Sequence, residues 1–170
     1  DDTLKITSPN HDIRNFSNTL IGGTGNDRLE GASSADTYVY NLGDGNDVIA
    51  DKDQGYSKAD KLVFGEGITK ANISLQRSGD NLVVLVAHPD MGAVSTITIE
   101  GAISNSLCRI EQMVFSDGSK IEGDWFNQLS YATYGSESND TITGDEKSDV
   151  IYALAGNDVI DGGFGNNTLN

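Results

Sequence analysis

The sequence is poor in the residues that carry most enzymatic and nucleic-acid chemistry. It has one cysteine, Cys108, among 170 residues, so no intramolecular disulfide forms. Two prolines exclude a collagen-like chain or a proline-rich linker. The two histidines, His11 and His88, belong to no HExxH motif, and no CxxC is present, so nothing points to zinc. Serine occurs in no nucleophile elbow, and no glycine-rich loop leads into a basic residue that would hold phosphate. The chain is therefore expected not to be an enzyme. Cations are scarce as well: 11 Lys plus Arg face 26 Asp plus Glu, a net charge of −15. Nucleic acid is not expected as a partner, because phosphate binding needs a basic surface. No apolar run approaches the roughly 20 residues of a membrane helix.

Glycine and acid are abundant instead. Twenty glycines in 170 residues is well above the usual share and points to many tight turns. The stretch Gly22–Glu30, "GGTGNDRLE", returns near the far end as "ALAGNDVIDGGFGNN". Aligned on the acid that precedes an x-aliphatic pair, the copies fall at Asp27, Asp36, Asp47 and Asp60, and again at Asp140, Asp149, Asp158 and Asn167. The second series steps evenly by nine residues, and the first is stretched by insertions. Asn18 with Leu20 reads as a degenerate earlier copy.

A nine-residue period fits a turn of six residues followed by a strand of three. Side chains alternate along the strand, so the lone aliphatic points inward. Two units make one coil, with one strand in each of two sheets. Successive coils stack as parallel strands, and their turns form two outer columns. Stacking sets the carboxylate of one turn beside that of the next turn but one, with loop carbonyls around them. Such carboxylates repel unless a cation lies among them. An oxygen cage in flexible geometry suits Ca²⁺ better than Mg²⁺, which demands a strict octahedron and dehydrates reluctantly.

"GGTGNDRLE" and "GGFGNNTLN" fit the nonapeptide G-G-x-G-x-D-x-U-x, and "LGDGNDVIA", "GSESNDTIT", "GDEKSDVIY" and "ALAGNDVID" are looser copies. The chain resembles the RTX, or haemolysin-type calcium-binding, family. That resemblance implies several Ca²⁺ ions, each between turns 18 residues apart and held by carbonyls and aspartates of both. Carried onto this sequence, Gly23, Gly25 and Asp27 face Leu42, Asp44 and Asp47. Asp36 faces Asp60. Ser136, Ser138 and Asp140 face Ala153, Ala155 and Asp158. Asp145, Lys147 and Asp149 face Gly162, Phe164 and Asn167. Gly43, Gly45 and Gly156 supply further backbone positions, and Asp51 is an extra candidate ligand. Asn167 in place of aspartate, and Lys147 and Ser34 in place of glycine, depart from the pattern. The Asp149–Asn167 pair is therefore expected to be weak, and Asp27–Asp47 and Asp140–Asp158 the better sites.

Residues 65–133 do not repeat. Residues 73–75, 81–87, 94–100 and 109–118 read as strands rich in Val, Ile and Thr, joined by hairpin loops at 78–80 and 88–92. His88 is expected to be exposed at a hairpin tip, and Cys108 to be a small buried strand residue. "IEGDWFNQL" (121–129) is predicted to form a short helix. This segment is also similar to the β-rich domain that follows or interrupts RTX arrays.

The fold expected is all-β, a parallel β-roll in two arrays separated by a β-rich capping segment with one short helix. The divisions are a lead-in at 1–21, a first array at 22–64, the intervening segment at 65–133 and a second array at 134–170. The chain opens at Asp1 without a signal peptide and breaks off within a repeat, so an excised piece of a larger protein is expected. The function expected is a calcium-dependent folding module of a secreted or cell-surface protein. The resemblance implies a type I secretion apparatus as partner. Two alternatives stay open: a ligand-binding or stalk module of a surface adhesin, and an accessory module of a secreted enzyme.

Overall fold

A three-residue strand buries too little to stand alone and gains a core only by stacking on its neighbours. The computed structural model, which describes residues 1–6, 17–52, 59–88, 92–122, 132–144 and 148–170, shows this stacking. Strands β1 (Thr3–Lys5), β3 (Arg28–Glu30) and β5 (Asp47–Ala50) lie parallel in one sheet. Strands β2 (Thr19–Ile21), β4 (Thr37–Tyr40) and β6 (Lys61–Phe64) lie parallel in the other. Leu4, Leu29 and Ile49 stack in register in the first, and Leu20, Tyr38 and Leu62 in the second. The insertions in the turns leave this register intact. The fold is the all-β parallel roll that the nine-residue period predicts.

The intervening strands join the same sheets. Strands β7 (Ile73–Ser78), β8 (Asn81–Ala87) and β9 (Val94–Ile99) form an antiparallel meander, and β9 pairs parallel with β5. Strand β10 (Gln112–Val114) pairs parallel with β6 and antiparallel with β11 (Lys120–Glu122). One strand of the segment thus continues each sheet of the first roll by one rung.

On the far side of the meander, β12 (Ala132–Tyr134) pairs parallel with β7, followed by β14 (Val150–Tyr152) and β16 (Thr168–Leu169). One nine-stranded sheet, β1-β3-β5-β9-β8-β7-β12-β14-β16, therefore runs from the first array to the second. Strands β13 (Thr141–Thr143) and β15 (Val159–Asp161) form a separate parallel pair.

The main core lies between the two sheets of the first roll and the meander. Tyr38, Leu62, Ile68, Leu82, Ile99 and Met113 are buried there, and Phe64 stacks on Phe115 with ring centroids 5.1 Å apart. Arg28 ties the outer surface together. Its guanidinium donates in a two-pronged fork to Glu100 and through Nε to Glu30, each at 2.8 Å, and Lys5 also reaches Glu30.

Some local expectations are corrected. The strand expected over 109–118 is confined to Gln112–Val114. Cys108 is buried, but on a single 3₁₀ turn, Ser106–Cys108, whose start is capped by the Asn105 side chain. His88 is not exposed: it is 7% accessible, with Nε2 2.9 Å from Ser95 Oγ, because its N–H closes the hairpin base on the Ala93 carbonyl. Ile121 and Glu122 end strand β11, and the rest of the predicted helix, 123–129, lies outside the described residues. Among the described residues, no helix is long and apolar enough to cross a membrane.

Candidate metal centre: two columns of acidic turns

Each strand of the roll is preceded by an aspartate or asparagine, and the strand register stacks these residues. Asp2, Asp27 and Asp47 precede the paired residues Thr3, Arg28 and Val48 and form one column. Asn18, Asp36 and Asp60 precede Thr19, Thr37 and Lys61 and form the other. The same hydrogen bond links successive rungs: a backbone N–H donates to the side-chain oxygen of the next. Asp27 donates to Asp47 at 3.0 Å and Asp2 to Asp27 at 2.6 Å. Asp36 donates to Asp60 at 2.7 Å and Asn18 to Asp36 at 3.2 Å.

The ladder buries negative charge. Asp27, Asp36, Asp44, Asp47, Asp51 and Asp60 are each at most 5% accessible. Burying carboxylates is costly unless charge or hydrogen bonds compensate. Asp27 Oδ2 is buried without a hydrogen-bond donor. Burial, and then the neighbouring Asp27 and Asp44 charges, push the Asp47 carboxyl up to about 6, against a backbone hydrogen bond that lowers it. Asp36, Asp51 and Asp60 each bring a carboxylate oxygen within 4.8 Å of the others. The Tyr38 hydroxyl donates to Asp51 at 2.6 Å, and burial raises the Tyr38 hydroxyl further from its ionised form. Hard, anionic oxygens in this number are the donor set of Ca²⁺. The orphaned Asp27 oxygen shows that the residues fit such an ion.

The turns must be thin for the columns to close. A Cβ on Gly31 would collide with the Tyr38 hydroxyl and the Asp51 carboxylate. Gly45, at φ 110°, would collide with the Gly25 carbonyl.

The structure brings most of the nominated residues of the first array together. The Gly25 N–H donates to the Asp44 carbonyl at 2.7 Å, so these turns stack through their backbones. The Asp44 side chain caps its own turn, accepting from the Asn41 N–H at 2.8 Å. Gly23 and Gly43 take left-handed φ values of 81° and 91°, and Leu42 stands exposed at the rim. Asp51 joins Asp36 and Asp60 rather than Asp27 and Asp47. The two oxygens of Asp36 take hydrogen bonds from the Asn18 and Ser34 side chains and from the Ala32 N–H. Ser34, in the place of a turn glycine, thus points its hydroxyl at the column.

The second array repeats the ladder. Asp140 N–H donates to Asp158 at 2.9 Å, and Asp149 N–H to Asn167 Oδ1 at 2.9 Å. Ser136 donates to Asp140 through both its N–H and its hydroxyl, and Ser138 N–H donates to Ser136 Oγ. Gly156, at φ 143°, lies against the Ser138 carbonyl, and Gly135 against the carbonyl of Ala153. Ala155 is exposed. Asp145 and Lys147 lie outside the described residues. At Asn167 the amide nitrogen donates to the carbonyls of Gly162, at 2.6 Å, and Phe164, at 3.2 Å. Those are the two carbonyls that the resemblance assigns to an ion, and here an N–H group satisfies them.

Two ladder residues are not evident from the repeat pattern. Asp2 and Glu111 both precede a paired strand, as the repeat aspartates do, and Asp60 N–H donates to Glu111 at 2.8 Å. Glu111 follows no glycine turn, which is why the nonapeptide alignment passes over it.

The pattern described as the RTX calcium-binding nonapeptide repeat matches residues 14–49 and 134–169, in four copies. Residues 14–49 and 134–169 are RTX calcium-binding repeats. The chain is also similar to the iron-regulated protein FrpA of Neisseria meningitidis serogroup C, 32% identical over 129 residues. That alignment covers 76% of this chain and 10% of FrpA, so the chain spans about a tenth of that relative. The matched repeats contain Asp27, Asp36 and Asp47 of the buried acid columns.

Proposed function

We propose that this chain is a non-catalytic, calcium-dependent folding module of a larger secreted protein. The observation that carries this reading is the pair of buried aspartate columns, above all Asp27 Oδ2, which is enclosed and lacks a donor. At low calcium the stacked carboxylates repel, and the acidic chain favours extended states. Millimolar calcium outside a cell neutralises the columns, and ion binding becomes folding energy. Extracellular calcium modules bind with dissociation constants on the order of 10⁻⁴–10⁻³ M. At ten times the dissociation constant each site adds roughly 1.4 kcal/mol. Several sites together decide folding for a domain stable by only about 5–15 kcal/mol. An unfolded chain inside and a folded one outside suits export through a type I apparatus.

Circular dichroism and Trp125 fluorescence during a Ca²⁺ titration, with Mg²⁺ as control, test this. The expected result is a cooperative gain of β-structure with calcium alone. A chain fully folded in EDTA and unmoved by calcium overturns the proposal.

A further inference from the structure

The two columns of the first roll end differently. In the first column the residue stacked beyond Asp47 is Ile97, so the carboxylates stop there. Only the neighbouring Asn46 continues, accepting from Thr96 N–H at 2.9 Å. In the second column the register runs Thr19, Thr37, Lys61, Gln112, and the residue before Gln112 is Glu111. The Asp60 N–H donates to Glu111 Oε2 at 2.8 Å, within 0.1 Å of the bond by which Asp36 N–H meets Asp60. A residue outside both arrays therefore stands where the next repeat aspartate would stand.

We propose that Glu111 is the closing rung of the second column, a positioning residue that fixes Asp60 for the cation held with Asp36. This rests on the calcium reading above. The bond restrains the Asp60 backbone, and with it the carboxylate that Asp60 turns toward Asp36 and Asp51. Outer partners that orient a metal ligand typically contribute about 10–100-fold to metal affinity. Glu111 also makes the intervening segment part of the metal site: β10 docks on β6 through the rung that calcium orders.

Calcium release from the full 170-residue chain, loaded and then mixed with excess chelator in a stopped-flow instrument, tests this. The readout is the release rate, with Met113→Ala as the control for release that runs through global unfolding. Glu111→Ala should accelerate one release phase about tenfold. Glu111→Gln keeps an acceptor oxygen and should stay within about twofold of the parent chain. Met113→Ala, a buried truncation in the same strand, should lower stability without accelerating that phase. If Glu111→Ala fails to fold, Glu111→Asp, with its carboxylate drawn back by one methylene, should release at a rate between those of parent and Ala. Parent-like release from Glu111→Ala or Glu111→Asp overturns the inference, as does equal acceleration in Met113→Ala or no rescue in Glu111→Gln. A parent chain that loads no calcium overturns the underlying reading instead.

Discussion

The two arrays share one repeat and one ladder, yet they are buried to very different extents. In the first, Leu20, Leu29, Tyr38, Ile49 and Leu62 are at most 2% accessible, because they share one buried cluster with Leu82, Ile99 and Met113 of the intervening segment. In the second, Ile151 is fully buried, but Leu154, Val159, Phe164 and Leu169 are 50–76% accessible. The stacked Tyr134–Tyr152 pair, with centroids 4.9 Å apart, lies on a half-open surface. The difference teaches that the nonapeptide supplies the coil but not the core. Ladder bonds and glycine turns recur wherever the repeat does, whereas hydrophobic burial depends on what covers the coil.

The comparison breaks most visibly when calcium is removed. In chelator, hydrogen exchange should rise to the level of an unfolded chain over 141–143, 150–152 and 159–161. It should rise less over 37–40 and 61–64, where apolar burial remains. Uniform exchange across both arrays would show that the covered core adds nothing to the first.

Core truncation should separate the arrays next. Leu62→Ala removes a side chain that is 1% accessible and should cost about 2–5 kcal/mol in denaturant unfolding at saturating calcium. Ile160→Ala, at the matching inward position of β15 but only half-buried, should cost less, about 1 kcal/mol. Equal losses would remove the distinction.

Acid sharpens the comparison from the electrostatic side. The Asp47 carboxyl is raised to about 6 in the ion-free fold, above its ordinary value. A raised acid favours the protonated folded state, so its contribution is most favourable below about pH 4 and is lost as pH rises through about 6. In chelator, the first array should therefore gain stability on going from pH 7 to pH 5, by about 1 kcal/mol for this group. In calcium the trend should reverse, because protons compete with the ion. Thermal melts at both pH values, with and without calcium, read the two signs.

The smallest effect is expected at the weakest rung. Asn167→Asp removes the amide that satisfies the Gly162 and Phe164 carbonyls and restores a carboxylate. Calorimetry should find tighter calcium binding by the second array, with a small loss of stability in chelator. Unchanged calcium binding would show that the amide is not what sets that rung apart.

The period of nine made the roll legible, since a turn of six and a strand of three has few other ways to bury its aliphatic. Insertions before Asp47 and Asp60 did not hide the stacking, because they enlarge the turns and leave the strands in register. What stayed hidden depends on contacts distant in sequence. Glu111 lacks a glycine turn and becomes a ladder member only when β10 docks on β6. Asp51 reads as an extra ligand with no assigned partner, and only the folded turn sets it beside Tyr38 and Asp60. His88 looked like a loop tip because its strand neighbour Ser95 lies across the hairpin. The joining of both arrays by one sheet could not be read from the repeats, since the intervening strands carry none of their pattern.

The side chain at position 167 carries a wider consequence. Carboxylate and carboxamide have the same shape and differ by a nitrogen in place of an oxygen, yet one recruits a dication and the other substitutes for it. A roll of this kind can therefore alter its ion demand one coil at a time, by exchanges that leave its backbone unchanged. On the proposed calcium reading, dependence on the ion is a graded property of the chain, set by how many rungs keep their acid.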